Sequence, residues 1–434
     1  MNRALLTCGL ILVGAGRLLA QDSVVPARLS LDAALRLAGE RSAGLAIARE
    51  SVARAEAGVV SASTRPNPAL TLLSEGYDFA REPGSAFLNS QELVFRLEQE
   101  LETGGRRARR TEGAQMGVES ARAELRDRWR QLQLDVRRAY FSVVLARADD
   151  AVATLTLNDI DQLITVNKAR LEQGEISGVE MRRLQVERFR FADDRFASDL
   201  ALKNARGSLL ALLSITPLDQ AFETTDSLAA EGAARPEAAP SAGGALFTQA
   251  LASRPDLEAV RRERDRAQSD VRLQQALRAP IVTLGAGYRR DFGAGGLVLD
   301  LKVPLGLFDR NRGGIARADA DRRAADARVA AAEIAVALDV QHARNALEIH
   351  KARVAYVERE YLTNAREARD IVLASYRAGA ATLTDYLDAQ RSLREAQRVA
   401  NRAQFDYRLG VFQLDAALGQ SAPLPEDRRE RNLR

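Results

Sequence analysis

The chain contains one turn twice, and that duplication limits what it can fold into. Leu171–Gln185 reads LEQGEISGVEMRRLQ, and Tyr376–Gln390 reads YRAGAATLTDYLDAQ. Setting Gly174 on Gly379 also sets Glu180 on Asp385 and Gln185 on Gln390. Each turn lies between two polar, alanine-rich stretches of helical periodicity, so the chain reads as two copies of one larger unit.

The copies agree beyond their turns. In the first, a helical pattern over 30–62 carries Leu31, Leu35, Leu45, Val52 and Val59. Arg65-Pro66-Asn67-Pro68 closes it, because proline cannot continue a helix and pushes its predecessor extended. Ala69–Phe79 is strand-like and Arg81–Ser90 a loop. Over Leu93–Leu101, Leu93, Phe95, Leu97 and Leu101 alternate with Arg96, Glu98 and Glu100. Thr103–Arg107 breaks that strand, a long helix runs to the first turn, and a return helix spans 178–213. In the second copy, Ala250–Leu257 (ALASRPDL) answers Arg36–Leu45, and Pro280 answers Pro68. Val282–Tyr288 and Leu297–Val303 alternate, and Phe308–Gly314 (FDRNRGG) stands where Thr103–Arg107 stood.

Each half therefore reads helix–strand–strand–helix–turn–helix. The expected division is 1–20 signal, 21–215 first repeat, 216–244 connector, 245–420 second repeat and 421–434 C-terminal tail. The connector is set apart by its Ala, Pro, Gly and acidic residues without sustained periodicity. The second long helix carries a seam at alternating three- and four-residue spacing. It runs through Ile315, Ala318, Ala325, Val329, Ala332, Val336, Val340, Ala343, Leu347, Val354, Val357 and Tyr361. A continuous helix from Gly314 to Gly379 would be roughly 100 Å long at about 1.5 Å per residue.

Composition agrees with such a molecule. Aromatic content of 5% and charged content of 28% suit long helices packed side by side. Residues 1–20 have the form of a secretory signal: Arg3, the apolar run Ala4–Ala15, then Leu18-Leu19-Ala20 before Gln21. Cys8, the single cysteine, falls inside it, so the mature chain has neither disulfide nor thiolate ligand. Losing Arg3 and Arg17 takes the formal charge from +4 to +2, with both signs interleaved, which argues against nucleic-acid binding. His342 and His350 are too far apart on one helix to share an ion and have no Cys or Met cluster near them. They read as packed or interfacial residues. No nucleophile–base arrangement and no cofactor fingerprint is apparent, so neither enzyme activity nor a cofactor nor a resident metal is expected.

The strands are more informative. Each has one apolar and one polar face, and no comparable apolar helix face is left to cover the former. Strands in a bilayer must pair every backbone group and so close into barrels. Four are too few, since barrels begin at about eight strands. Several copies of the chain must pool their strands, with apolar residues toward lipid and Arg96, Glu98, Asp300 and Lys302 toward a wet lumen.

The duplicated layout, ALASRPDL, QELETGGRRARR, VPLGLFDRNRGG and YRAGAATLTDYLDAQ together resemble the TolC-type outer-membrane efflux channel family over essentially the whole mature chain. Thr103–Arg107 and Leu305–Gly314 most resemble its branch serving cobalt–zinc–cadmium exporters. The resemblance implies a mixed α+β membrane protein: a long antiparallel α-helical coiled-coil barrel, with four transmembrane β-strands per protomer completing a trimeric 12-stranded β-barrel. It implies a homotrimer in the outer membrane, mostly in the periplasm, working with a periplasmic adaptor and an inner-membrane RND-type pump. It further implies a periplasmic gate at Asp385, Asp388, Tyr376 and Glu180. Adaptor-docking turns are implied at Gly174, Glu175, Ile176 and Ser177, and at Gly379, Ala380, Ala381, Thr382 and Leu383. Some relatives carry an arginine at the Ala381 position, so any gate salt bridge made by it is different or missing here.

Three copies of Asp385 and Asp388 would ring the axis with carboxylates that attract cations. The plainer reading of Asp388 is a solvated helix face or a pair with Arg391. For the glycine turns it is ordinary helix capping. The expected function is a passive exit duct of a tripartite exporter, for divalent heavy-metal cations. The alternatives are a drug-efflux or type I secretion channel, or a non-conducting periplasmic coiled-coil adaptor.

Overall fold

Alanine-rich heptads and two pairs of alternating strands produce a mostly helical molecule with a four-stranded antiparallel sheet. The computed structural model describes residues 25–76, 92–228, 243–291 and 294–424. The expected signal at 1–20 lies outside these, as do the Arg81–Ser90 loop and parts of the connector and tail.

In chain order, the elements are β1 (Arg28–Leu29), α1 (Leu31–Arg41), α2 (Ala43–Ser63), β2 (Ala69–Glu75), β3 (Glu92–Leu101), α3 (Arg106–Glu172) and α4 (Gly178–Leu212). There follow β4 (Glu223–Thr224), α5 (Gly243–Ser253), α6 (Pro255–Ala276), β5 (Val282–Asp291), β6 (Ala294–Lys302) and α7 (Arg312–Tyr356). A π-helical turn (Val357–Leu362), α8 (Thr363–Arg377) and α9 (Leu383–Ala417) complete the chain. The order α2–β2–β3–α3–turn–α4 recurs as α6–β5–β6–α7/α8–turn–α9, the unit read from the sequence.

Three local differences have physical causes. The helix expected over 30–62 is two helices, because Ser42 leaves helical geometry (ψ 118°) while its N–H still bonds Ala38 O. The long second-repeat helix is interrupted by the π turn, which inserts one residue into the repeat. The seam therefore leaves Tyr361, which is 39% exposed, and continues through Leu362, packed against Val357, Ala400 and Ala403. Lastly, β1 pairs in parallel with β4, Arg28 opposite Glu223 and Leu29 opposite Thr224. Residues read as a connector without periodicity thus place Phe222 and Leu228 in the main core beside Trp129, Tyr140, Phe141 and Leu209.

The sheet runs β2–β3–β5–β6, antiparallel throughout. Its register aligns Leu72, Phe95, Tyr288 and Leu297 in one row and Leu70, Leu97, Ala286 and Leu299 in the next, all on one face. That face is open: Leu299 is 72% exposed and Leu70 75%. The other face carries Arg96, Glu98, Asp300 and Lys302, as the alternation required, with Arg96 Nε 3.3 Å from Asp300 and Arg289 Nε 2.7 Å from Glu92. Gly285 makes room for the Asp300 side chain, since a Cβ there would lie 2.4 Å from its carboxylate. Among the described residues, the outer edges of β2 and β6 have no partner strand. No helix among them is long and apolar enough to cross a membrane.

Where strand meets helix, Gly104 and Gly105 both adopt positive φ (68° and 73°). A Cβ on Gly104 would meet Ala279 Cβ at 2.7 Å, so glycine is needed there for the close approach of α6. Arg254 is a second organising point. It belongs to the ALASRPDL segment, where Pro255 opens α6 at the first helical position. Its side chain is 5% exposed and bridges Asp256 (2.5 Å) and Asp339 (2.9 Å), tying α6 to α7. Arg130 on α3, held by Asp127 at 2.6 Å, lies 3.8 Å from the same Asp256.

Candidate functional site

The two glycine turns lie at one end of the helices and share one geometry. Gly174 and Gly379 take φ of +76° and +77°, ending α3 and α8 in the left-handed conformation. Glu175 N–H bonds back to Arg170 O (2.9 Å) and Ala380 N–H to Ser375 O (2.8 Å). Three residues after each glycine an N-cap opens the return helix. Ser177 accepts from Glu180 N–H at 3.2 Å, and Thr382 accepts from Asp385 N–H at 3.2 Å.

The side chains at matched positions do different work. Asp385 completes a capping box, accepting from Thr382 N–H (2.9 Å) and Thr382 Oγ1 (2.7 Å). These side-chain and backbone bonds hold its carboxyl below the usual aspartate range. Glu180 instead brings Oε1 within 3.5 Å of the Tyr376 hydroxyl. That hydroxyl donates to Asn167 Oδ1 at 3.1 Å, and the ring stacks on Tyr386 at 6.0 Å between centroids. Burial pushes the Tyr376 phenol above its ordinary pKa; the Asn167 bond opposes this and the Glu180 charge adds to it.

Tyr376, Leu383, Tyr386 and Leu387 from the second repeat pack on Ile160, Ile164, Met181, Leu184 and Phe191 from the first. Leu383 is 4% exposed inside this cluster, so it supports the tip surface from beneath instead of presenting itself there. Gly174, Glu175, Ser177, Gly379, Ala380 and Thr382 are exposed; Ile176 and Ala381 are partly covered. Glu175 is also held by Arg170 at 3.0 Å.

Asp388 is exposed and pairs with Arg391 at 2.8 Å, the plainer of its two sequence readings. Arg391 also bonds Glu187 of the first repeat, which takes a further bond from Arg190 at 2.8 Å. Sequence reasoning missed Asn167 and Glu187 as parts of this site, and had Arg391 only as a partner for Asp388. Asn167 and Glu187 were detectable only as polar residues at seam positions of α3 and α4. Tyr376→Phe is expected to leave Asn167 Oδ1 buried without a donor and to cost about 1–2 kcal/mol, read as a lowered thermal midpoint of the solubilised protein. An unchanged midpoint would remove this bond from the account. His342 lies beside Arg254 and Asp339 on α7, well away from the tip. Among the described residues, no group of three or more His, Cys, Asp or Glu side chains could hold a metal ion.

The profile of the outer membrane efflux protein family matches residues 34–213 and 246–420. The chain belongs to this family. The cobalt-zinc-cadmium resistance protein CzcC of Cupriavidus metallidurans is 27% identical to this efflux protein over 373 residues, covering 85% of each chain. The nickel-cobalt-cadmium resistance protein NccC of Alcaligenes xylosoxydans xylosoxydans is 25% identical over 268 residues, 61% of this chain and 57% of that one. Among solved structures, CusC, whose crystal structures concern transmembrane channel formation, superposes with a TM-score of 0.75 at 17% identity. That match covers 90% of this chain and 92% of CusC. At that identity the match establishes the fold, which this efflux protein shares with solved outer-membrane channels.

Proposed function

We propose that this efflux protein is the outer-membrane duct of a tripartite exporter, passing divalent heavy-metal cations handed on by a periplasmic adaptor and an RND-type inner-membrane pump. The observation that carries the reading is the sheet: four strands with one face apolar and exposed over its central rows, a charged opposite face and, among the described residues, two open edges. β3, β5 and β6, at 10, 10 and 9 residues, have the length of a tilted bilayer crossing. Open edges cannot lie in lipid, so β6 of one copy would pair with β2 of the next, and three copies would close twelve strands. The metal cargo is supported by the kinship with two proteins named for metal resistance. Cations then pass through without capture, and the inner-membrane partner supplies the energy.

The tip would be the periplasmic gate. Asp385, fixed by its capping box, and Asp388, paired with Arg391, would form two carboxylate rings, with Tyr376 and Glu180 joining the repeats behind them. The exposed turns 174–177 and 379–382 would receive the adaptor. The division into a cleaved signal at 1–20, repeats at 21–215 and 245–420, a connector at 216–244 and a tail at 421–434 belongs to the same proposal.

The test is growth of a strain lacking this chain on graded zinc, cobalt, cadmium, copper and silver, beside lipophilic drugs and dyes. Hypersensitivity to metals alone is expected, restored by the intact chain and only partly by Asp385→Asn/Asp388→Asn. Sensitivity to drugs alone would overturn the metal assignment and leave a drug channel. No sensitivity to either, with a soluble elongated protein, would favour the adaptor reading.

A further inference from the structure

The alternation of β6 does not stop where its hydrogen bonds do. Leu297, Leu299 and Leu301 continue at the same period into Val303, Leu305 and Leu307, beyond the last paired residue, Lys302. The segment then ends on Phe308, whose side chain is fully exposed, with Leu305 and Leu307 almost as open. A lone exposed leucine needs no explanation, but three large apolar side chains on an ordered loop do.

The loop is held in place. Leu307 N–H bonds Leu305 O (2.8 Å), and Asn311 N–H bonds Asp309 Oδ1 (2.8 Å). Asn311 Nδ2 donates to Gln274 O and Oε1 on α6, both at 2.9 Å. Gly314 makes that latch possible, because a Cβ there would stand 2.2 Å from Asn311 Oδ1. Exposed Lys302, Arg310 and Arg312 surround the apolar tip. Asp309 accepts from the loop's own Asn311 N–H, and Glu102 pairs with Arg110 at 2.6 Å. The corresponding first-repeat junction, Thr103–Arg107, carries no apolar side chain.

We propose that Val303–Arg312 is an interfacial wedge that binds anionic phospholipid on the helix side of the barrel. Leu305, Leu307 and Phe308 sit among acyl chains, and Lys302, Arg310 and Arg312 hold the headgroup phosphates. The proposal rests on the reading that the sheet crosses the membrane. Continuity selects lipid as the occupant: the stripe that faces hydrocarbon on β6 runs without a break into the loop. Charge selects the lipid, since aromatic and basic side chains at the end of a spanning element match the headgroup level and attract anionic surfaces.

The experiment places Phe308→Trp and, separately, Leu299→Trp in the full chain, reconstituted in phosphatidylcholine vesicles. Trp129, the one native tryptophan, is buried in the helical core and gives an unquenched background. Each variant is exposed to brominated phosphatidylcholine or brominated phosphatidylglycerol at equal mole fraction. Both should be quenched, and Phe308→Trp more by the anionic lipid. Adding Arg310→Gln/Arg312→Gln should reduce that preference by about fivefold per charge removed. Quenching at Leu299→Trp but not at Phe308→Trp would mean that another protein surface covers the loop; the wedge would then be wrong and the barrel would stand. Absence of quenching at both would remove barrel and wedge together. Equal quenching of Phe308→Trp by the two lipids would overturn the headgroup selection.

Discussion

Leu299→Arg is expected to prevent stable assembly in the outer membrane. Leu299 lies mid-strand on β6, 72% exposed, opposite Ala286 and between Leu297 and Leu301 on the apolar face. An arginine on the lipid face near the bilayer midplane costs about 2–4 kcal/mol, and a closed assembly would meet that cost once per copy. Val298→Arg is the control, because Val298 lies on the opposite, charged face beside Asp300. Outer-membrane fractions should contain little or no heat-resistant oligomer of Leu299→Arg and near-normal amounts of Val298→Arg. Equal yields would mean that the apolar face does not meet lipid.

Arg254→Leu is expected to destabilise the helical body by about 2–3 kcal/mol. Removing one partner of a buried ion pair costs about 3–5 kcal/mol when the remaining charge is fully enclosed. Here the survivors keep some water, with Asp256 33% and Asp339 54% exposed, so the lower figure applies. The variant should also change the pH dependence. Burial alone would raise the Asp256 pKa, but the Arg254 hydrogen bond and charge, helped by Arg130, bring it below the usual aspartate value. A carboxylate depressed in the folded state stabilises above its unfolded pKa of about 3.9, and that contribution is lost as pH falls through the folded value. The native thermal midpoint should therefore drop on acidification below about pH 4 by more than the midpoint of Arg254→Leu. Parallel curves would show that Arg254 does not set the Asp256 charge.

Much of the architecture is written locally in the sequence. The strands were legible because residues such as Phe95 and Leu97 alternate with Arg96 and Glu98, and a half-solvated sheet needs that period. The tip turns were legible because Gly174 and Gly379 recur at matched places between helical stretches and hold a conformation that glycine adopts at low cost; the hydroxyl caps three residues later came only with the structure. The π turn was not legible: one inserted residue moves the seam from Tyr361 to Leu362, and heptad counting assumes a constant helical period. Nor was the pairing of Leu29 with Thr224, which joins positions far apart in the chain through two-residue strands. In the tip, Asp385 was found by its match to Glu180, but its capping role depends on Thr382 geometry. The Tyr376–Asn167 bond and the Glu187–Arg391 pair exist only once α3, α4, α8 and α9 have packed.

Three copies of this chain are expected to share one barrel. The direct measurement is the mass of the detergent-solubilised assembly extracted from outer membranes, by light scattering corrected for bound detergent. The expected result is three times the mass of one chain, collapsing to one on boiling. A monodisperse single chain that needs no detergent would contradict it.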